Sequence, residues 1–162
     1  MKNKNLSFMT QAAMIAAIYV VLTYIFAPFS FGEVQVRISE ALTILPIFTP
    51  AAIPGLFVGC LIGNILGGAI LPDIVFGSIA TLIGAFFTWK LRELKPVVAT
   101  LPPIISNIII VPFVLRYGYG VTLPIPFMML TVGIGEVISC TVLGLIVYGA
   151  LKKYKGTLFR TA

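Results

Sequence analysis

Glu33-Val-Gln-Val-Arg-Ile-Ser-Glu-Ala-Leu-Thr-Ile-Leu-Pro46 is the one dense polar cluster between two apolar spans, and its reading decides the fold. From Glu33 to Ser39 the apolar residues Val34, Val36 and Ile38 alternate with Glu33, Gln35, Arg37 and Ser39, the period of an extended segment with one apolar face. At Ser39 the period changes. Ser39 is placed to cap a helix, Glu40 suits its positive end, and an apolar run continues until Pro46 interrupts it. An extended loop therefore turns into a helix at Arg37 to Glu40.

Outward from this stretch, the composition is that of a membrane protein. The 162 residues are 59% hydrophobic and only 10% charged, where a soluble domain carries about 25% charged residues. The 15 Gly and 11 Pro fit this class, since both residues are commoner in transmembrane helices than in soluble ones. Leu6 to Phe29 is too long for the core of a signal peptide and reads as a retained span. The net charge of +6 comes from short basic clusters that flank apolar runs, a topology signal and not a nucleic-acid surface. There is no His, which removes the commonest general base and metal ligand. Cys60 and Cys140 fall within spans and read as small apolar fillers, so no metal site is expected.

Spans are expected at about Leu6 to Ala27, Pro72 to Trp89, Pro96 to Leu115 and Leu123 to Leu151. Between them, Ala41 to Leu71 is 31 residues without a charge, either one kinked helix or two short ones divided at Thr49-Pro50-Ala51. Charge parity chooses two. Nine basic residues (Lys2, Lys4, Lys90, Arg92, Lys95, Lys152, Lys153, Lys155 and Arg160) then share one side, against Arg37 and Arg116 on the other. The expected fold is an all-α integral membrane protein, a compact single-domain bundle of six transmembrane helices over residues 1–162 with both termini cytoplasmic. Its second helix, Ser39 to Phe48, is about 15 Å long if α-helical, too short for a hydrocarbon core of about 30 Å, so neighbours must shield it.

Glu136 stands near mid-membrane in the last span, where a carboxylate requires a partner, a proton or a ligand. A structural hydrogen bond to Asn107 is the alternative role. Asn64 and Asn107 suit either ligand binding or interhelical contact. Arg37 and Glu40, three residues apart, read as a site pair or as a local ion pair in an outer loop open to water. Asp73 is expected in the first turn of the fourth span, and it too is a site candidate. Trp89 beside Lys90 reads as an interface anchor, while Tyr117 and Tyr119 read as anchors or as a lid. In the first span Ala12, Ala13, Ala16 and Ala17 form two overlapping Ala-x-x-x-Ala pairs, which let another helix approach closely.

Short helices, small size, the paired alanines and the polar loop after the first span together resemble the substrate-binding S component of energy-coupling factor (ECF) transporters. Within that group, Gln35 to Pro46 is similar to the hallmark of the QueT family of queuosine-precursor transporters. The resemblance implies a multi-pass protein of a bacterial plasma membrane that captures a 7-deazaguanine such as 7-aminomethyl-7-deazaguanine. It also implies docking through Ala12, Ala13, Ala16 and Ala17 on a coupling transmembrane subunit that carries two ATPases. The chain itself would hold no cofactor, and its partners would use the ATP; it has no Gly-x-x-x-x-Gly-Lys-Ser/Thr loop. A guanine-like edge offers adjacent N–H donors to a carboxylate, Glu136 or Glu40, and its carbonyl needs a donor from Asn107, Asn64 or Arg37. Competing readings are an S component for a different vitamin or small metabolite, and an intramembrane enzyme using Glu136 and Asp73. The enzyme reading lacks a His, a nucleophile motif and a paired-aspartate metal motif.

Overall fold

A computed structural model describes residues 2–30 and 36–159, and the described residues contain helices and no strand. We label the main helices α1 (Lys2–Ile25), α2 (Ala52–Leu66), α3 (Leu71–Lys90), α4 (Pro96–Gly118) and α5 (Ile125–Lys152). A 3-10 helix, Ile38–Ile47, lies between α1 and α2, and single turns occur at Ala27–Ser30 and Lys155–Leu158. Of these, α1, α3, α4 and α5 are long and apolar enough to cross a membrane.

The polarity of the surface is inverted relative to a water-soluble protein. Leu6, Met9, Tyr24, Leu71, Phe87, Ile109, Leu130 and Ile146 are exposed, while Thr23, Arg37, Ser39, Glu40, Asn64, Asp73, Thr81 and Glu136 are buried. Lipid is the solvent that rewards this arrangement.

The 3-10 helix is the interior element. All eight residues from Ser39 to Pro46 are buried, between α1, α2, α3 and α5. Its conformation corrects the expected α-helix. Pro46 has no N–H to donate, and the Thr43 hydroxyl donates to the Glu40 carbonyl at 2.6 Å, so the backbone closes tighter i→i+3 bonds such as Phe48 N–H to Leu45 O at 2.8 Å. At about 2.0 Å per residue the ten residues reach about 20 Å, still short of the hydrocarbon thickness. Ser39 is not the cap. Arg37, in extended conformation (φ −88°, ψ 99°), occupies that position without a side-chain cap, and Ser39 Oγ instead accepts a hydrogen bond from Thr23 at 2.9 Å. Of the alternating stretch, Glu33 to Gln35 lies outside the described residues. At the other end of the 3-10 helix, Phe48 is stacked between Tyr148 and Phe159 at centroid distances of 5.3 and 5.4 Å.

Small residues set the helix contacts. Gly55, Gly59 and Gly63 of α2 face Ala12, Ala16 with Tyr19, and Thr23 of α1, so closely that a Cβ on Gly55 would stand 2.7 Å from the Ala12 carbonyl oxygen. The four α1 alanines, which spacing alone groups together, therefore divide into two pairs. Ala12 and Ala16 are turned inward against α2, with Ala16 buried, whereas Ala13 and Ala17 are exposed. Between α3 and α4 the same device recurs at Gly84, where a Cβ would lie 2.6 Å from Pro103 Cα. Pro103 also removes the amide that would have bonded the Ala99 carbonyl; Thr88 of α3 donates to that carbonyl at 2.9 Å instead.

Two π-helical turns complete the frame, Val114–Gly118 at the end of α4 and Val137–Leu143 inside α5. The second begins immediately after Glu136. At the far end of α3, Lys90 and Arg92 lie 5.2 and 4.7 Å from the Trp89 ring, a cation–π cluster at the basic end of the helix.

Candidate functional site

All six polar candidates, Arg37, Glu40, Asn64, Asp73, Asn107 and Glu136, are buried, with exposures between 1% and 5%. They form one continuous network across the 3-10 helix and α2 to α5. Its first half is mixed in charge. Arg37 Nη2 lies 3.5 Å from Asp73 Oδ2, and Arg37 Nη1 reaches Asn64 Oδ1 at 3.5 Å, the outer limit of a hydrogen bond. The Asn64 amide donates to the Asp73 carbonyl at 3.4 Å, tying α2 to the first turn of α3.

Arg37 is thus not in a water-screened loop, as its position before a helix suggested. Burial at 5% exposure makes its ion pair with Asp73 a low-dielectric one, and the expected Arg37–Glu40 pair is replaced by this longer-range one. Asp73 does stand in the first turn of α3, but it faces the interior. Tyr119, from the loop after α4, donates to Asp73 Oδ2 at 3.0 Å, and the Ile70 N–H donates to the Tyr119 hydroxyl oxygen at 3.4 Å. Burial and the neighbouring Asp73 carboxylate push the Tyr119 hydroxyl above its ordinary value, so it remains a donor at physiological pH. Tyr117, in contrast, is 78% exposed and joins no part of the network.

The second half offers acceptors. Glu40 Oε1 accepts a short hydrogen bond from the Tyr19 hydroxyl and a longer one, 3.4 Å, from Thr81. Glu40 Oε2, fully buried, has no partner. Glu136 Oε2 accepts from the Cys140 thiol at 3.2 Å, and the Asn107 side chain lies beside the Glu136 carboxylate. Carboxylate oxygens of Glu40 and Glu136 and the Cys140 sulfur lie within 4.8 Å of one another. Thr81 and Cys60 link the halves: Thr81 reaches the Cys60 sulfur at 3.4 Å and Asn64 reaches it at 3.6 Å.

Tyr19, Thr81, Cys60 and Cys140 were not among the site candidates named from sequence. Both cysteines are free and buried, as fillers would be, yet each is hydrogen-bonded within the polar network. Tyr19 carried a readable signal, since a Tyr in the middle of a span is away from the interface where that residue concentrates. An open groove of about 490 Å³, lined by Pro72, Phe76, Ile109, Phe113 and Tyr117, lies apart from this network and is apolar.

An all-helical protein with an apolar exterior and a buried, hydrogen-bonding interior of paired charges is a membrane protein built around a polar site. Residues 9–153 match the QueT transporter family. The chain belongs to that family, one of transporters and not of enzymes. It is 33% identical over 84 residues to the Queuosine precursor transporter QueT of Lactococcus lactis subsp. cremoris (strain MG1363); the match covers 51% of this chain and 48% of the relative, about half the length of each. No solved structure matches.

Proposed function

We propose that this chain is the substrate-binding S component of an ECF-type importer in the plasma membrane, and that it captures a queuosine precursor of the 7-deazaguanine class. Family membership and the name of the Lactococcus relative support the substrate class. The observation that carries the reading is the buried mixed-charge cluster of Arg37, Asn64 and Asp73 beside the acceptors Glu40 and Glu136. A guanine-type edge presents a carbonyl next to N–H donors, and a cluster with guanidinium and amide donors next to carboxylate acceptors is its complement. Water is excluded there, so each matched hydrogen bond discriminates strongly against a ligand that leaves it unmade.

In this reading the 3-10 helix and α1 to α5 are six membrane-embedded segments with both termini cytoplasmic, which the nine-to-two distribution of basic residues supports. ATP is then used by two ATPase subunits acting through a coupling transmembrane subunit, a division of labour with which the lack of a Gly-x-x-x-x-Gly-Lys-Ser/Thr loop in this sequence agrees. Ligand that co-purifies with the protein, identified by mass spectrometry, tests the substrate: a 7-deazaguanine is expected, and an unrelated vitamin would refute the assignment.

Docking on the coupling subunit uses the exposed alanines of α1, Ala13 and Ala17, because Ala12 and Ala16 are already occupied by α2. Ala17→Leu should reduce uptake by cells at least tenfold while calorimetric binding by the isolated protein is unchanged, as expected when close helix approach is blocked. Normal uptake by this variant would remove the α1 face from the docking surface. Ala16→Leu, in contrast, strikes Gly59 and is expected to disturb the fold.

A further inference from the structure

Resting on that reading, we infer that Glu40 and Glu136 form a subsite for a protonated amine, so that the site selects a cationic, aminomethyl-bearing 7-deazaguanine over a neutral one. The inference begins with the two carboxylates, whose oxygens come within 4.8 Å of each other in the interior. They come from distant parts of the chain, one from the 3-10 helix and one from α5 just before its π turn, so their meeting is a product of the tertiary fold. Like charges this close in a water-poor site repel, so the arrangement holds a proton when empty and favours a cation between them when a ligand is bound.

No cationic side chain among the described residues forms an ion pair with either carboxylate. Arg37 is the one buried cation among them; its charge acts on Glu40 and Glu136 from a distance, while its guanidinium is in contact with Asp73 and Asn64 in the other half of the network. The remaining neighbours of the pair are neutral: Tyr19 and Thr81 on Glu40 Oε1, Cys140 and Asn107 on Glu136. They orient the carboxylates without compensating both charges.

A second observation points to a ligand. Glu40 Oε2 is buried and has no hydrogen-bond partner, and Ser139 Oγ, one turn beyond Glu136, is likewise buried and unpartnered. Buried acceptors are rarely left unmade in a folded protein. An alkylammonium group carries N–H donors and one positive charge, which matches two close carboxylates of which one has an unpartnered oxygen. The neighbouring mixed-charge half, Arg37 with Asn64 and Asp73, remains available for the ring edge.

The test compares 7-aminomethyl-7-deazaguanine with 7-cyano-7-deazaguanine, which has the same ring and a neutral substituent, by calorimetry on the full chain in lipid nanodiscs. The nitrile is expected to bind about 30-fold more weakly or worse, the scale of one charge-assisted hydrogen bond. In Glu40→Gln the preference should shrink to within about fivefold, mainly through weaker binding of the amine. The comparison on the unaltered protein stands whether or not that variant folds. Equal binding of both compounds would overturn the amine subsite and leave the 7-deazaguanine reading intact, whereas binding of neither would overturn the reading itself. Elemental analysis of the purified protein closes the remaining alternative: a stoichiometric divalent metal held by Glu40, Glu136 and Cys140 would show that the pair is a metal site and overturn the inference.

Discussion

Glu136→Gln is expected to weaken binding of 7-aminomethyl-7-deazaguanine by about 2 kcal/mol or more, roughly 30-fold, when the purified variant is titrated calorimetrically. The substitution preserves shape and changes chemistry. Glu136 is 3% exposed and its carboxylate stands among the acceptors of the Glu40 half of the network. An amide at that position exchanges one acceptor for a donor and removes the charge, so a ligand N–H meets an N–H across a gap that water cannot fill. Cys140 and Asn107 can rearrange around an amide, which is why the variant should still fold. A variant that folds and binds like the parent would make Glu136 structural and move recognition to Arg37, Asn64 and Asp73.

Asp73→Ala should produce the largest loss of stability, about 3 kcal/mol, seen as a lower midpoint of thermal unfolding in detergent. Removing this carboxylate takes an ion-pair partner from a guanidinium that is itself buried, and also takes the acceptor of the Tyr119 hydroxyl. The cost comes from the charge left behind. For that reason the double variant Arg37→Met, Asp73→Leu is expected to recover most of the stability while losing ligand binding, since an apolar pair of similar volume needs no compensation. An unfolding midpoint unchanged by Asp73→Ala would mean that the Arg37–Asp73 contact contributes nothing to the fold.

The membrane class and the positions of the helices were legible because both rest on summed quantities. Runs of apolar residues bounded by Lys90, Arg92 and Lys95 or by Lys152 and Lys153 mark α3 and α5 to within a few residues, and a single misjudged residue does not move them. The burial of Asn64, Asn107 and Glu136 was legible for a related reason: an ionisable or amide side chain within a span has few places to go other than inward. Arg37, Glu40 and Asp73, which were picked on other grounds, are buried with them.

What was not legible depends on partners remote in the chain. Arg37 looks like a loop residue until Asp73, brought close by the turn into α3, makes its burial tolerable. The two Ala-x-x-x-Ala pairs of α1 are equivalent by spacing, yet they project about 100° apart around the helix, and only the glycines of α2 decide that Ala12 and Ala16 turn inward. The 3-10 conformation of Ile38–Ile47 is likewise a local contest between Thr43, Pro46 and the packing of four neighbours, for which apolar periodicity carries no information. Glu33 and Gln35, in the same polar stretch, lie outside the described residues.

The central claim is that the ligand lies within the buried network and not on the apolar flank of the protein. An experimental structure of the complex with 7-aminomethyl-7-deazaguanine tests this most directly. The ring is expected against Arg37, Asn64 and Asp73, with its amine between Glu40 and Glu136. Density for the ligand in the apolar groove lined by Phe76, Phe113 and Tyr117, with the polar network unchanged, would contradict the account.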